Sequence, residues 1–167
     1  HRLQRRLNDG RGVRMLYVTH DQIEAMSLAD RIIVLDRGHV LQVGTPDDIY
    51  RQPVSPRVAQ MLGTPPINLL RADQAAAVFR GFALPASGAA RTIGVRPEHV
   101  ALAPDPTGAV TVRVVEHLGP ITVAYFAAPG GGDEVDVRAA LAPTAAIAVG
   151  ERFTLTVLPA NILTWDS

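Results

Sequence analysis

The decapeptide YVTHDQIEAM, residues 17–26, places one histidine between a strand-like run and a helix-like run. The run VRMLYVT (13–19) is mostly apolar and β-prone, which predicts a buried strand. The letters THDQ then predict a helix start, with Thr19 as the cap and Gln22 reaching back to it as in a capping box. His20 is therefore expected at the carboxyl end of a strand, which is the edge where open α/β sheets bind ligands.

The local pattern around His20 also fits a solvated turn histidine without a chemical role, because short motifs often match by chance. The helix that follows is expected to reach about Asp30, with Ile23 and Met26 at helical spacing. Both interpretations of His20 stay open at this level.

Composition limits the class of protein. The chain has 167 residues, 47% of them hydrophobic, which allows one ordinary domain or two small ones. Its formal net charge is zero, so no global field attracts nucleic acid or an anionic membrane. The absence of cysteine excludes a disulfide framework and a thiolate metal site. No membrane-spanning helix and no signal peptide are expected. The chain begins in what reads as the middle of a helix, so we expect it to be a piece of something longer.

The segment RIIVLDRGHVLQVG (31–44) predicts a β-hairpin. Its letters DRG fit a three-residue connection with Gly38 in the left-handed conformation. Two helix starts are predicted after it, each with a capping hydroxyl followed by proline. They are Thr45–Pro46 and Ser55–Pro56.

The pattern of residues changes at TPPI (64–67), which predicts a domain boundary between residues 1–64 and 65–167. Beyond it, short β-prone runs are separated by Gly and Pro, which predicts a small all-β sandwich or barrel. The runs are NLL, AVFRGFAL, TIGV, VALA, AVTVRVVEHLG, ITVAYFA, EVDVRAAL, RFTLTVL and ILTW. The segment PGGGDE (129–134) is predicted to be a hairpin tip and not a phosphate loop, because it has no Lys, Ser or Thr.

Several classes of site are absent from the sequence. No two of the five histidines have a spacing such as HxxxH, which argues against zinc. No serine lies in a GxSxG turn, and there is no GxxxxGK[ST] phosphate loop. Residues 67–167 hold 7 Arg against 9 acidic residues, and their aromatic residues alternate as core residues do. Both features argue against a nucleic-acid-binding OB fold.

An ordered series of motifs resembles a known family. The series is THDQ.EAM, ADRI.VLD.G, Q.GTP...Y..P and G.PP.NLL, and it resembles the end of the nucleotide-binding subunit of maltose-type ABC importers, which serve sugars and glycerol phosphate. The later runs IGVRPEHVAL and VEHLGPITVAYF resemble the OB-like accessory domain of this branch. The resemblance implies an α/β remnant of an ABC nucleotide-binding domain followed by an all-β OB-like (TOBE/MOP-type) domain. It is weakest in residues 72–92 and 127–150.

The resemblance assigns roles to individual residues. His20 matches the switch histidine, which in the family touches the γ-phosphate of ATP and helps hold the attacking water. Asp21 follows it near the partner subunit's interface, and Arg96 to His99 match a structural signature of the β domain. The family's Walker A, glutamine-loop, signature and Walker B motifs would precede this chain. ATP and Mg²⁺ are therefore expected as cofactors of the parent only, with no cofactor, metal site or ATPase activity in this chain alone.

The resemblance also implies a function and partners. The expected function is that of a carboxyl-terminal regulatory and dimerisation portion of an ATP-binding subunit that powers solute import, with carbohydrate as the solute class. The alternative is a module that senses a small ligand or oxyanion. Expected partners are a second copy, the transporter's membrane subunits, and a regulatory protein or small ligand, without nucleic acid. The expected location is cytoplasmic, peripheral at the inner face of the plasma membrane. Residues 1–62 are expected to pack on the β domain or to pair with a second copy, because their strand would otherwise expose an apolar edge.

Overall fold

The computed structural model describes residues 15–83, 91–130 and 133–166. The chain divides into two compact units, the first ending at Gly63 and the second beginning at Thr64. Within the described ranges, the first unit contains three short helices and one hairpin, and the second is built mainly of antiparallel strands.

The first unit packs its helices against one face of the hairpin. Its elements are α1 (Gln22–Leu28), β1 (Ile32–Asp36), β2 (His39–Gly44), α2 (Pro46–Arg51) and α3 (Pro56–Met61). Its buried apolar cluster consists of Val34, Ile49, Val58 and Leu62. The two predicted caps are confirmed, because the hydroxyls of Thr45 and Ser55 accept backbone N–H bonds from the third helical residue. The expected α/β layer stays a prediction, since the strands described in this unit form only one antiparallel pair.

The hairpin turn is one residue shorter than the sequence predicts. Asp36 pairs directly with His39, which leaves a two-residue connection. Arg37 and Gly38 have φ angles of 47° and 82°, so both are in the left-handed region, as type I′ turns require. The left-handed conformation of Gly38 is confirmed, and the three-residue connection is wrong.

The predicted strand before His20 is also wrong over the part that is described. Residues 15–19 form no strand, and residues 13 and 14 lie outside the described ranges. Leu16 and Val18 are 83% and 86% exposed. A parallel strand requires neighbours that accept its hydrogen bonds and cover its faces. No described segment pairs with these residues.

The second unit consists of two antiparallel sheets. Its strands are β3 (Asn68–Arg71), β4 (Arg91–Val95), β5 (Ala101–Pro104), β6 (Val110–His117), β7 (Thr122–Gly130), β8 (Asp133–Leu141), β9 (Arg152–Thr156) and β10 (Ile162–Asp166). The sheet orders are β10-β4-β3 and β5-β9-β6-β7-β8. The mainly β character predicted for this half is confirmed.

One predicted β-prone run is wrong. The letters AVFRGFAL (77–84) fall on the end of helix α4 (Ala72–Val78) and the turn after it, and the last residue lies outside the described ranges. Alanine has the highest helix propensity, which favours a helix here. Gln74 strengthens the start, because its Oε1 accepts the N–H of Arg71 at 2.9 Å.

The expected hairpin at PGGGDE agrees with the pairing of its flanks. Strands β7 and β8 pair along their whole length, ending with Gly130 opposite Asp133. The two tip residues, 131 and 132, lie outside the described ranges.

Both sheets and α4 contribute to one apolar core. Phe126 and Phe153 meet edge to face there, with ring centroids 5.8 Å apart and an interplanar angle of 79°. Such a pair contributes about 0.5–1.5 kcal/mol beyond the area it buries. The other buried members of this core are Leu70, Ala75, Val78, Phe79, Ile93, Val95, Val100, Val110, Val112, Ala124, Ala128, Val137, Ala139 and Leu155.

Candidate functional site

His20 is exposed at the start of α1, in a backbone held on both sides. The Asp21 N–H donates to Thr19 Oγ1 at 2.9 Å. Asp21 Oδ1 accepts the backbone N–H groups of Ile23 and Glu24 at 2.8 and 3.1 Å. The cap of α1 is therefore Asp21 and not Thr19 as predicted. A carboxylate is favoured in this place because it satisfies free N–H groups at the positive end of the helix dipole.

A second set of hydrogen bonds fixes the chain just before His20. Glu24 Oε2 accepts the hydroxyl groups of Tyr17 and Thr19 at 3.0 and 3.1 Å. The bond to the Glu24 carboxylate raises the pKa of Tyr17, and the negative charge of Glu24 adds to the effect. Within the described ranges, the imidazole of His20 makes no hydrogen bond of its own. The ring therefore remains available to an outside group.

Gln22 does not close the predicted capping box. Its Oε1 instead accepts the backbone N–H of Gly63 at 2.7 Å, across 41 positions of sequence. Four residues further along α1, Met26 packs against the apolar cluster that includes Leu62. Helix α1 is thus attached at two points to the end of the first unit. The sequence spacing offered no signal for this long-range bond.

The signature Arg96 to His99 lies in a packed turn of the second unit. Pro97 begins a 3₁₀ helix that ends at His99, whose N–H donates to the Arg96 carbonyl at 3.0 Å. Arg96 is only 2% exposed. Nδ1 of His99 is buried and has no hydrogen-bond partner among the described residues. The geometry fits the packing and turn role inferred from the sequence.

A cleft of about 360 Å³ opens in the second unit beside the carboxyl end of α4. Asp105 lies in it, and its Oδ1 accepts the Thr107 N–H at 2.9 Å and the Thr107 hydroxyl at 2.7 Å. Its Oδ2 accepts the Thr154 hydroxyl at 2.8 Å. These bonds lower the pKa of Asp105, and the positive charge of Arg80 adds a smaller effect. The remaining lining residues are Ala76, Ala77, Val78, Gly108, Ala109 and Leu155. No motif in the sequence indicates this cleft.

Two general features of the described ranges bear on ligands and membranes. No group of three or more His, Asp or Glu side chains converges there as a metal site. None of the helices in those ranges is long and apolar enough to cross a membrane.

Comparison with known proteins finds a family match within the second unit and relatives that are similar along nearly the whole chain. The TOBE domain family matches residues 93–165. An sn-glycerol-3-phosphate import ATP-binding protein of Chromohalobacter salexigens is 41% identical over 99% of this chain and 47% of its own length. A protein of the same name from Rhodopseudomonas palustris is 35% identical over 96% of this chain and 48% of its own length. One from Brucella abortus is 48% identical over 59% of this chain and 27% of its own length.

The chain thus spans about half the length of the first two relatives, and the similarity covers nearly all of the chain. The series of motifs around His20 and the β-rich second unit fall within the same match. The chain is therefore similar over nearly its whole length to the carboxyl-terminal part of the ATP-binding subunits of ABC importers, and its residues 93–165 match the TOBE domain family.

Proposed function

We propose that this chain is the regulatory and dimerisation portion of an ATP-binding subunit that powers import of a solute of the carbohydrate or glycerol-phosphate class. The similarity of nearly the whole chain to sn-glycerol-3-phosphate import ATP-binding proteins carries the proposal. In the intact subunit, the second unit pairs two copies, and the subunit works with membrane partners at the inner face of the plasma membrane. A regulatory protein is a further partner of the second unit.

In the intact subunit, His20 is the histidine that contacts the γ-phosphate of ATP. Its exposed imidazole, set between two hydrogen-bonded residues, supports this role. Phosphoryl transfer depends mainly on positioning and on stabilising charge, so one well-placed hydrogen bond to a γ-oxygen is useful chemistry. ATP and Mg²⁺ supply the transferred phosphoryl group and the charge neutralisation, and the phosphate-binding loop belongs to the half that this chain does not cover.

The first unit is part of a larger α/β domain. The outer face of the β1–β2 hairpin supports this proposal, because its cross-strand pairs are apolar and about half exposed. They are Ile33 opposite Val43 and Leu35 opposite Val40. A two-stranded hairpin is marginally stable by itself, and a contiguous apolar face normally has a covering layer.

The role of His20 can be tested in a chimaeric subunit, in which residues 1–167 replace the matching half of the Chromohalobacter salexigens relative. His20→Ala is expected to lower the ATPase kcat at least about a hundredfold, the lower end of the range for removing one hydrogen-bond donor that stabilises charge in the transition state. The matched control is His39→Ala, since His39 is an exposed histidine of the same unit. Turnover that survives His20→Ala would contradict the assignment.

Dimerisation can be tested on the 167-residue chain by light scattering over a concentration series. A mass that rises to twice the chain mass of 17.8 kDa is expected as the concentration increases. A monomer at every concentration would remove the dimerisation role from this chain.

A second candidate function is sensing of a small oxyanion or related ligand, favoured by the cleft beside Arg80. The exposed guanidinium of Arg80 is a group that binds phosphate or polyol oxygens, whereas the hydroxyl hydrogens of Thr107 and Thr154 are donated to Asp105. Calorimetric titration with phosphate, sulfate and sn-glycerol-3-phosphate tests this function, with Arg80→Gln as the variant. Arg113→Gln serves as the control, because Arg113 is an exposed arginine outside the cleft that pairs with Glu134. Binding that is unchanged in Arg80→Gln, or absent for all three probes, would exclude the cleft.

A further inference from the structure

The hydrogen bond between Gln22 and Gly63 ties the start of α1 to the last residue of the first unit. Gly63 is the last residue of the first unit, and its peptide bond leads directly to Thr64 of the second. The Gly63 φ angle is +111°, a conformation that side-chain-bearing residues rarely adopt. Its N–H donates to Gln22 Oε1 at 2.7 Å in a half-buried setting. The junction is therefore attached to α1 by a short, well-defined hydrogen bond.

A short chain of contacts leads from this bond to His20. Gln22 is the first residue of α1, and Asp21 before it caps the same helix through its carboxylate. The Asp21 N–H is in turn held by Thr19 Oγ1, so the backbone on both sides of His20 is fixed. Only one residue, Asp21, separates His20 from Gln22, whose side chain holds the junction. The hydrogen bonds of residues 19–22 therefore connect Gly63 with the backbone that carries the imidazole.

Helix α1 is held by a second contact besides the bond between Gln22 and Gly63. Met26 packs against the apolar cluster, so the helix is fixed both at its start and one turn later. Gln22 itself is half-buried, and its carbonyl oxygen is used by the junction and not by the helix end. If Gln22 only capped α1, its side chain would accept a backbone N–H at the start of that helix, whereas it accepts the N–H of Gly63.

We propose that Gln22 is a positioning residue that couples the junction with the TOBE unit to the orientation of His20, so that the state of the TOBE unit adjusts ATP hydrolysis. The proposal rests on the function proposed for His20. Gln22 touches neither nucleotide nor reacting atoms, and acts through the backbone of residues 19–22. The coupling is a free energy between two sites, carried by one hydrogen bond and one helix.

The hydrogen bond is tested directly by amide exchange in the 167-residue chain. Gln22→Leu removes the acceptor at similar size, whereas Gln22→Glu keeps an oxygen in place. Exchange of the Gly63 amide is expected to speed up about tenfold in Gln22→Leu and to stay close to the original rate in Gln22→Glu. Gln60→Leu is the control, because Gln60 is exposed on α3. Unchanged protection of Gly63 in Gln22→Leu would overturn the proposal.

The coupling is tested by steady-state ATPase kinetics of the chimaeric subunit. Gln22→Leu is expected to lower kcat about threefold to tenfold, the fold-change that corresponds to one hydrogen bond, with the KM for ATP within about twofold. Gln22→Glu is expected to restore most of kcat. A merely structural role would not give this split between kcat and KM or this rescue.

A double-mutant cycle separates coupling from local damage. Inserting Gly-Ser between Gly63 and Thr64 loosens the junction and is expected to lower kcat in the Gln22 background. The same insertion is expected to have little further effect in the Gln22→Leu background, because the path is already broken. Fully additive effects would overturn the proposal. The His20→Ala result is read independently: if turnover survives that change, the function proposed for His20 fails, whatever the Gly63 exchange rate shows.

Discussion

Asn68 shows how one buried side chain joins the two sheets of the second unit. It lies on β3 and is only 2% exposed. Its Nδ2 donates to the Arg138 carbonyl at 2.9 Å, and its Oδ1 accepts the Arg138 N–H at 2.8 Å. Arg138 lies in β8, at the end of the five-stranded sheet order. The amide therefore takes the place of a neighbouring strand and covers part of an edge that would otherwise be open to pairing.

Replacing Asn68 with leucine is expected to destabilise the second unit by about 2–4 kcal/mol, because both polar groups of the half-buried Arg138 backbone lose their partner. Urea unfolding followed by the fluorescence of Trp165, the single tryptophan, measures the change. Asn161→Leu is the matched control, since Asn161 is half-exposed, and its effect should stay within about 0.5 kcal/mol. Equal effects of the two changes would contradict the role given to Asn68.

Asp105 makes the stability of the second unit depend on pH. Hydrogen bonds from Thr107 and Thr154 lower the pKa of its carboxyl group in the folded chain. A carboxyl group with a lowered folded pKa stabilises the fold above its unfolded pKa of about 3.9, and loses this effect as the pH falls through the folded value. The gap in stability between the original chain and Asp105→Asn should therefore shrink as the pH falls below about 4.

Thermal unfolding between pH 2 and pH 6 measures this gap. Thr154→Val removes one of the two hydroxyl donors, so it should reduce only part of the acid dependence. A gap that stays constant over the whole pH range would show that Asp105 does not titrate differently in the folded state.

The residue that caps a helix could be predicted only where the sequence offers a single capping residue at the helix start. Thr45 and Ser55 are each followed by a proline, which marks the first helical residue without ambiguity. Thr19 and Asp21 are two good caps within three residues, and the structure selects Asp21. The Gln22 and Asn68 bonds were beyond prediction, because their partners lie 41 and 70 residues away.

The β1–β2 hairpin illustrates how turn geometry acts on a whole element. Its two turn residues both have positive φ, yet only one is a glycine. Arginine in the left-handed region is strained, and asparagine tolerates this region better. Asn-Gly is the preferred pair for a type I′ turn.

Arg37→Asn is therefore expected to stabilise the hairpin by about 0.5–1 kcal/mol. Hydrogen exchange of the β1 and β2 amides measures the local free energy of opening. Gly38→Ala is the opposing variant, because Gly38 has open space around its α-carbon but a φ of +82°, so its cost is conformational. We expect a loss of about 1–2 kcal/mol for it. No change in amide protection for either variant would contradict the turn assignment.

Elements whose stability depends on distant partners were the hardest to predict. The run VRMLYVT has the composition of a strand, but its described part is exposed because no described segment pairs with it. The run AVFRGFAL (77–84) is β-prone because of its valine and phenylalanines, but its first two residues end helix α4, whose alanines and Gln74 bond to Arg71 favour a helix. The strands of the second unit were mostly predictable, since glycine and proline separate them.

The family assignment was the most secure inference for the whole molecule. It rested on an ordered series of weak motifs, and relatives that match nearly the whole chain confirm it. The specific function of the second unit could not be predicted from these motifs. A fold does not by itself determine function, and the choice between the pairing and the sensing role proposed for the second unit depends on surface groups such as Arg80.

The apolar outer face of the hairpin leads to a prediction for the intact subunit. Leu35 and Val40 face each other across the strands and are 56% and 58% exposed. If this face packs against the nucleotide-binding half, threonine at either position removes buried apolar surface only in the intact subunit. Threonine keeps the strand propensity, so the comparison isolates burial. In the 167-residue chain, Leu35→Thr and Val40→Thr should each change the opening free energy of the hairpin by less than about 0.5 kcal/mol.

In the chimaeric subunit, each change should cost about 1–3 kcal/mol, because side chains of this size then leave a packed interface. Hydrogen exchange of the hairpin amides in both proteins measures the difference. Val34→Thr is the control, since Val34 is 6% exposed on the opposite face and should be destabilising in both. Small effects of the Leu35 and Val40 changes in both proteins would mean that the nucleotide-binding half does not cover this face. The first unit would then have to bury its apolar surface against some other partner.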